Sequence, residues 1–428
     1  MKYDPHDNPG LMATLLYSAQ WLVVILPNLI IMGSLAGRLH IADTIGQTIY
    51  LQKLFIILGI SSLGQVLAGH RLPLVIGPSG ILLVGLSASS SAGYAASYSA
   101  ICMGGLCLSL LAASGRLGRL RQIFTPRIVA VTLILIAVSL SNFILRLIFS
   151  GEQNAFFSLL FTLVFVAVLL LGTVLLPGIW KSSVIVWGSC LACAVFFCVY
   201  GLPTVPLPGS GAVWGQFHAV MPEFVFEPGT VLAFLLCFMA LLMNELGSIE
   251  SIGHMLRAEH MPGRAVRGVG FIGIANMLSG ACGVIGPVDY SMSSGVIAGT
   301  GCAARYPLAV AGLAVVALGC MPQLLGLLTH IPPLVMGGLF LYLMSTQLAA
   351  GLLTAIETRA VSSFRHCLIM ALPLMTAVLI TFAPPEAQQH FPVLLRPVLA
   401  NGFVMGIATA LLLEHLVLRD PSSEKGAP

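Results

Sequence analysis

The sequence V-I-G-P-S-G at residues 75–80 returns as V-I-G-P-V-D at residues 284–289, about half a chain later. Each copy lies inside an apolar stretch, where the Gly-Pro pair interrupts what would otherwise be a spanning helix. A bilayer tolerates broken backbone only where protein buries it or where it meets a water-filled cavity. The flanks also agree, because Gln65–Gly69 precedes the first break as Asn276–Gly280 precedes the second. Paired breaks in two halves predict a transporter with a substrate site near mid-membrane, and two unrelated kinks are the alternative.

Composition decides the class of protein. The 428-residue chain is 58% hydrophobic and 8% charged, with a mean hydropathy of +1.00. Soluble domains carry about 25% charged residues, so a water-soluble globule is excluded. Apolar runs long enough to cross about 30 Å of hydrocarbon recur along the chain. We predict an all-α polytopic membrane protein with fourteen transmembrane segments, at 13–35, 47–68, 73–90, 97–115, 127–149, 156–177, 182–201, 230–254, 265–283, 286–300, 305–328, 331–352, 366–383 and 396–418.

The distribution of basic residues predicts the orientation. With the N-terminus in the cytoplasm, most of the 19 Lys and Arg residues fall on the inner side, as the positive-inside rule requires. Those on the outer side are Arg38, Lys53, Arg146 and Arg396. We therefore expect a multi-pass protein of the cell (inner or plasma) membrane with both termini cytoplasmic and no cleaved signal peptide. The net charge of +4 then reflects the inner face, and no nucleic-acid partner is expected.

Ionisable side chains inside the apolar segments are functional candidates by default. Glu250 and His254 of segment 8 are spaced i, i+4, so they share a helical face, and a buried carboxylate there can exchange a proton. An ion pair near the cytoplasmic helix end, with Arg257 one turn away, is the alternative. Glu245 lies about 140° around the helix from Glu250. We expect Glu245 to pair with another span or a broken helix, or to take part directly in proton coupling.

Three further polar or aromatic residues are candidates for contacting a ligand. Asp289 directly follows the second break, where it can accept hydrogen bonds from unpaired amides or from a ligand, or can cap the half-helix that follows. In segment 1, Gln20 could hydrogen-bond a ligand or join helices together. The neighbouring Trp21 could stack on a flat ring or serve as plain core packing. No phosphate-binding loop, nucleophile–base pair or metal-ligand cluster is evident, so neither an enzyme nor a cofactor is expected.

At these residues the chain resembles the nucleobase–ascorbate transporter family, which includes the xanthine and uracil permeases. Residues 250–254, E-S-I-G-H, resemble that family's eighth-segment motif, in which the Glu binds the base. Residues 331–338, I-P-P-L-V-M-G-G, resemble its entry to the twelfth segment. Residues 292–301 fall on its signature, with matches at Gly295, Thr300 and Gly301. The resemblance runs over essentially the whole length.

The departures from the family pattern concern the groups that read the base. Met292 stands where the signature begins with a hydrogen-bonding side chain, and Ser293 replaces its Asn. Gln20-Trp21 stands where the family commonly has Gln-His, and Gly80 stands where an aromatic is frequent. Either a different ligand binds, or backbone amides and the side chains of Ser293 and Asp289 take over the missing contacts.

The resemblance implies an architecture. It implies a seven-plus-seven inverted repeat with short antiparallel strands in the broken segments 3 and 10, and a homodimer in the lipid bilayer. A core domain would comprise residues 1–120 and 230–330, which carry segments 1–4 and 8–11. A gate domain would comprise residues 121–229 and 331–428, which carry segments 5–7 and 12–14 and the cytoplasmic tail.

The resemblance also implies a proton-coupled symporter that imports a nucleobase, with purines such as xanthine, urate, hypoxanthine or guanine ahead of uracil. An anion transporter of the same architecture is the second hypothesis, because paired half-helix N-termini attract anions. A transport-inactive relative is the third. The residues expected to bind the base are Glu250, Ser79, Gly80, Asp289, Met292, Ser293, Gln20 and Trp21, and those expected to couple protons are Glu250, His254 and Glu245.

Overall fold

The structure of the protein is a computed structural model. It describes residues 3–5, 7–89, 92–118, 125–149, 154–176, 184–201, 223–290, 293, 296–297, 302–328, 330–384, 386–387, 390–392 and 395–418. Met292 therefore lies outside the described residues. The helices are α1 Leu11–His40, α2 Thr44–Leu67, α3 Gly80–Ala88, α4 Tyr94–Ala113, α5 Pro126–Phe149, α6 Ala155–Leu175, α7 Val184–Tyr200, α8 Pro228–Met255, α9 Met261–Ala281, α10 Tyr306–Gly319, α11 Pro322–Leu328, α12 Pro333–Glu357, α13 Phe364–Thr381, α14 Arg396–Leu399 and α15 Gly402–Leu412, which continues as a π-helical turn over Leu413–Val417.

Helix length and composition fit a membrane protein. Within the described ranges, eight helices are long and apolar enough to cross a bilayer, or nine if α10 and α11, bent by 89° at their junction, form one span. Two shorter apolar helices, Val184–Tyr200 and Gly402–Val417, fall below that length. The prediction of a predominantly helical protein with several membrane spans is confirmed. The count of fourteen stays a prediction.

The two Gly-Pro breaks meet each other. Strand β1, Val75–Pro78, pairs antiparallel with strand β2, Pro287–Tyr290, and the register places Pro78 opposite Pro287. The short strands predicted in the broken segments are therefore present. Two sites distant in the sequence form one element because each strand satisfies the backbone groups that the other leaves free, as the membrane interior demands.

Two side chains hydrogen-bond to the proline carbonyl oxygens of the strand pair. The Tyr290 hydroxyl donates to the carbonyl oxygen of Pro78 at 2.6 Å, and the Asn276 amide donates to that of Pro287 at 2.9 Å. Both contacts require a neighbouring glycine, because a Cβ on Gly77 would lie 2.5 Å from the Tyr290 ring and one on Gly286 would lie 1.8 Å from Asn276 Oδ1. Gly77 and Gly286 thus leave the space that the Tyr290 ring and the Asn276 amide need in order to bond the carbonyl oxygens of Pro78 and Pro287.

Two helix crossings surround the strands. In the α4–α9 crossing, a Cβ on Gly105 would lie 2.7 Å from the Gly273 oxygen, and one on Gly273 would lie 2.9 Å from the Gly105 oxygen. Gly59 and Gly312 show the same reciprocal contact in the α2–α10 crossing, at 2.7 and 3.2 Å. Small residues let helix backbones approach in membranes, so both crossings are tightly packed. α4 and α9 correspond to the predicted segments 4 and 9, and α2 and α10 correspond to segments 2 and 11. Segment 11 is seven after segment 4, and segment 2 is seven before segment 9, so the two crossings are equivalent in a seven-segment repeat.

A second group of helices carries its own ion pair. α5 packs on α12, α13 and α15. Arg127 at the start of α5 donates to Glu414 Oε1 at 2.9 Å and to the carbonyl oxygen of Ala360 at 2.9 Å. Glu414 is 7% exposed, so this buried carboxylate, at the end of the last predicted span, has a cationic partner.

Candidate functional site

The first broken segment presents its half-helix through Ser79 and Gly80. The Ser79 hydroxyl accepts from the Leu82 amide at 3.3 Å and caps α3, while the Ser79 amide donates to the Gly286 oxygen at 2.9 Å. Gly80 faces the boundary between α1 and α5. A Cβ on Gly80 would lie 3.4 Å from Met32 and 3.6 Å from Ile136, which are ordinary contact distances. Gly80 therefore has room for a Cβ atom.

Ser293 has a structural role in this conformation. Its hydroxyl accepts from the Val75 amide at 2.9 Å and donates to the Tyr290 oxygen at 2.8 Å, and the residue is fully buried. The hydroxyl therefore joins the start of β1 to the segment that follows β2. As a base-binding residue, Ser293 remains a prediction.

Asp289 is the point at which β2 is fastened to α8. Its amide donates to Glu245 Oε2 at 3.1 Å. Its carbonyl oxygen accepts from the Asn244 amide at 3.2 Å and from the Ser248 hydroxyl at 3.1 Å. The backbone of Asp289 thus donates one hydrogen bond to α8 and accepts two from it, while its register position lies opposite Ile76.

The side chain of Asp289 lies in a buried cluster with Glu245 and His70. All three are fully buried, and His70 Nε2 lies 3.0 Å from Asp289 Oδ2. Glu245 and Asp289 are in direct contact, because Glu245 Oε2 accepts from the Asp289 amide at 3.1 Å, so this buried cluster holds two carboxyl groups. The Gln65 amide donates to Glu245 Oε1 at 3.4 Å. Glu245 therefore contacts a broken segment through Asp289 and another span through Gln65, and its direct part in proton coupling stays a prediction.

Glu250 and His254 lie on another face of α8. Ser251 and His254 are exposed and Glu250 is half-buried, so these three residues form one polar stripe, which the exposed Gly247 precedes by one turn. The i, i+4 pair predicted from the sequence shares this stripe. Since lipid strongly disfavours ionisable groups, a polar stripe on a membrane helix is expected to face water or protein.

The two candidates on α1 differ in their surroundings. Trp21 is 2% exposed and packs in the main hydrophobic core. Gln20 is half-buried, and its Oε1 is buried without a hydrogen-bond partner among the described residues. In this conformation Gln20 retains a free acceptor, whereas the Trp21 ring is covered.

Comparison with known proteins identifies the family. The profile of the xanthine/uracil permeases, described as a permease family, matches residues 12–386. The chain belongs to this family. The permease is 26% identical over 373 residues to the nucleobase transporter PlUacP of Paenibacillus larvae, with 84% of each chain covered. It is 27% identical over 312 residues to the xanthine permease XanP of Escherichia coli, with 68% of this chain and 65% of that one covered.

A solved structure shows a related fold. The permease is similar to the transmembrane domain of the cyanobacterial bicarbonate transporter BicA, with a TM-score of 0.62 and 16% identity over 88% of this chain and 98% of that chain. At this identity the likeness concerns the fold alone. Family and relatives together make the protein a membrane transporter and not an enzyme.

Proposed function

We propose that this permease imports a nucleobase by proton symport, with purines preferred to uracil. The observation that carries the proposal is the polar stripe of α8, where Glu250 and His254 stand on the helix that fastens β2. The stripe places an acceptor for ring N–H groups on the helix whose residues 244–248 bond the strand pair, a break of the kind that holds substrate in transporters. Relatives named as xanthine and uric acid permeases support a purine.

The base would lie between the strand pair and the stripe. Glu250 would accept hydrogen bonds from ring N–H groups of the base. Backbone amides near Ser79, Gly80 and Asp289 would donate hydrogen bonds to its carbonyl oxygens. At Gly80, where the family often has an aromatic side chain, the missing side chain leaves the backbone of the half-helix free to approach a base. Trp21 could stack on a base only if α1 moved, because the ring is covered in this conformation.

The equivalence of the two glycine crossings supports a seven-plus-seven inverted repeat. On this proposal residues 1–120 and 230–330 form the core domain, and residues 121–229 and 331–428 form the gate domain. Both termini would lie in the cytoplasm and the protein would form a homodimer. The ion pair between α5 and the turn after α15 would then hold the gate helices together.

An anion transporter of the same fold is the competing function, since the BicA domain has this fold. The site argues against it. Asp289 belongs to β2 and Glu245 lies beside it, and among the described residues no Lys or Arg nitrogen contacts either carboxylate. The N-terminus of α3, which would attract an anion, already has the Ser79 hydroxyl as its cap.

Uptake by cells that express the permease tests the proposal. We expect labelled xanthine or urate to accumulate above uracil and bicarbonate, and a protonophore to abolish the accumulation, because the proton gradient drives it. Cells carrying the empty vector are the control. Accumulation of bicarbonate without any purine would contradict the proposal, and so would purine accumulation that a protonophore leaves intact.

A further inference from the structure

We propose that Glu245, Asp289 and His70, called here the buried triad, bind the coupling proton, and that Glu250 serves the substrate. The inference rests on the proposed function and assigns its proton to a site at which Asp289 and His70 have had no such role. The three side chains come from α8, β2 and the loop between α2 and β1. All three are fully buried.

The two carboxyl groups of the triad favour the binding of a proton. Two carboxyl groups that share one buried cluster cannot both be ionised without strong repulsion. Asp289 Oδ1 and Oδ2 have no hydrogen-bond donor with satisfactory geometry among the described residues. A proton taken from water would form an O–H bond on one carboxyl group and remove one of the two negative charges. Its release would leave two facing carboxylates.

The groups around the triad do not supply a compensating cation. Arg264 of α9 donates to the backbone oxygen of His70 at 2.8 Å, and Arg267 donates to that of Gly69 at 3.3 Å. Both guanidinium groups therefore bond the backbone of the loop between α2 and β1. From α2, the neutral amide of Gln65 reaches Glu245. His70 is the one titratable side chain, among those described, that contacts a carboxylate of the pair.

The tautomer of His70 favours a proton over a metal cation. Its Nδ1 accepts from the Leu72 amide at 2.9 Å, so the ring hydrogen of the neutral imidazole resides on Nε2, which faces Asp289. The Gln65 amide and the Asp289 amide also direct hydrogens at Glu245. Hard cations require a shell of oxygen ligands, whereas the neighbours of this pair are hydrogen-bond donors.

The position of the triad provides a route to coupling. The Glu245 carboxylate accepts the amide of Asp289, so the protonation state of the pair acts directly on the contact between α8 and β2. Glu250 lies on the same helix, about one and a half turns further on. Repulsion after proton release would loosen β2 from α8, and a proton would restore the contact. Substrate and proton would thus both act on the contact between α8 and β2, but through different side chains.

Infrared difference spectroscopy of the purified full-length permease tests the site without any substrate. On a pH jump, we expect the wild type to show the C=O stretch of a buried protonated carboxyl group. The band should be absent in Glu245→Gln and present in Glu414→Gln, whose carboxylate is also buried but is paired with Arg127. A band that persists unchanged in Glu245→Gln would overturn the proposal. Asp289→Asn, which should also lose the band, replaces Glu245→Gln if that variant fails to fold.

Transport in proteoliposomes tests the coupling. With one proton per xanthine, each pH unit of gradient supports about tenfold accumulation in the wild type. Glu245→Gln should reach about equal concentrations on both sides while exchange of preloaded for external xanthine continues. Gradient-driven accumulation in Glu245→Gln, or loss of exchange in the folded variant, would overturn the proposal. A wild type that transports no base but shows the infrared band would refute the proposed function and leave the proton site intact.

Discussion

Glu250→Gln is expected to lower the initial rate of nucleobase uptake by about 10- to 100-fold, the effect of losing one or more hydrogen bonds to a charged group. A carboxylate accepts from ring N–H groups with both oxygens, whereas the Gln amide presents an NH₂ donor to one of them. The half-buried position of Glu250 on the stripe allows the exchange without disturbing the core. Initial rates, divided by the amount of protein in the membrane, give the measurement.

Glu259→Gln is the matched control for this change. Glu259 is exposed in the connection between α8 and α9, so its loss should leave uptake within about twofold of the wild type, as for most surface substitutions. The same loss in both variants would show an effect of net charge. Uptake by Glu250→Gln at the wild-type rate would remove Glu250 from the binding of the base.

Gly286→Ala is expected to destabilise the protein by about 1–3 kcal/mol, the usual range for overpacking. The new Cβ would lie 1.8 Å from Asn276 Oδ1. Asn276 cannot turn away freely, because its amide donates to the oxygens of Ile272 at 2.8 Å and Pro287 at 2.9 Å. The melting temperature and the yield of monodisperse protein in detergent measure the effect.

Gly80→Ala is the control for the other Gly-Pro segment. Its Cβ would meet Met32 and Ile136 at 3.4 and 3.6 Å, so its melting temperature should stay close to that of the wild type. Equal destabilisation by the two substitutions would mean that alanine disturbs both segments through the backbone. A stable Gly286→Ala protein would contradict the fit of Asn276 against the strand pair.

The sequence predicts the frame of the site well. Gly-Pro pairs inside apolar runs are local signals, and their repetition predicts two broken segments that meet. Helical spacing alone places Glu250 and His254 on one face and Glu245 on another, as found. The shared face of Glu250 and His254 follows from helical periodicity, and the meeting of the broken segments follows from the cost of unpaired backbone in lipid. Both can be recognised from a short stretch of sequence.

The rest of the site depends on contacts between distant parts of the chain. His70 sits in A-G-H-R, which reads as part of an inner loop, and its partner Asp289 is more than 200 residues away. The role of Ser293 is similarly hidden, because its hydroxyl bonds to the Val75 amide across the strand pair. For Trp21, the sequence leaves both stacking and core packing open, and the structure shows a covered ring. No local signal separates such alternatives.

The central claim is that a nucleobase occupies the space between the strand pair and the stripe of α8. It is tested most directly by introducing Gly80→Cys, Ser251→Cys or Gly118→Cys singly into a protein that lacks the ten native cysteines. Labelling by a small membrane-impermeant thiol reagent is then followed with and without xanthine. We predict that xanthine slows labelling at positions 80 and 251 and leaves the exposed position 118 unaffected, while bicarbonate protects none. Labelling at 80 and 251 that is indifferent to xanthine, in a protein that still takes xanthine up, would contradict the account.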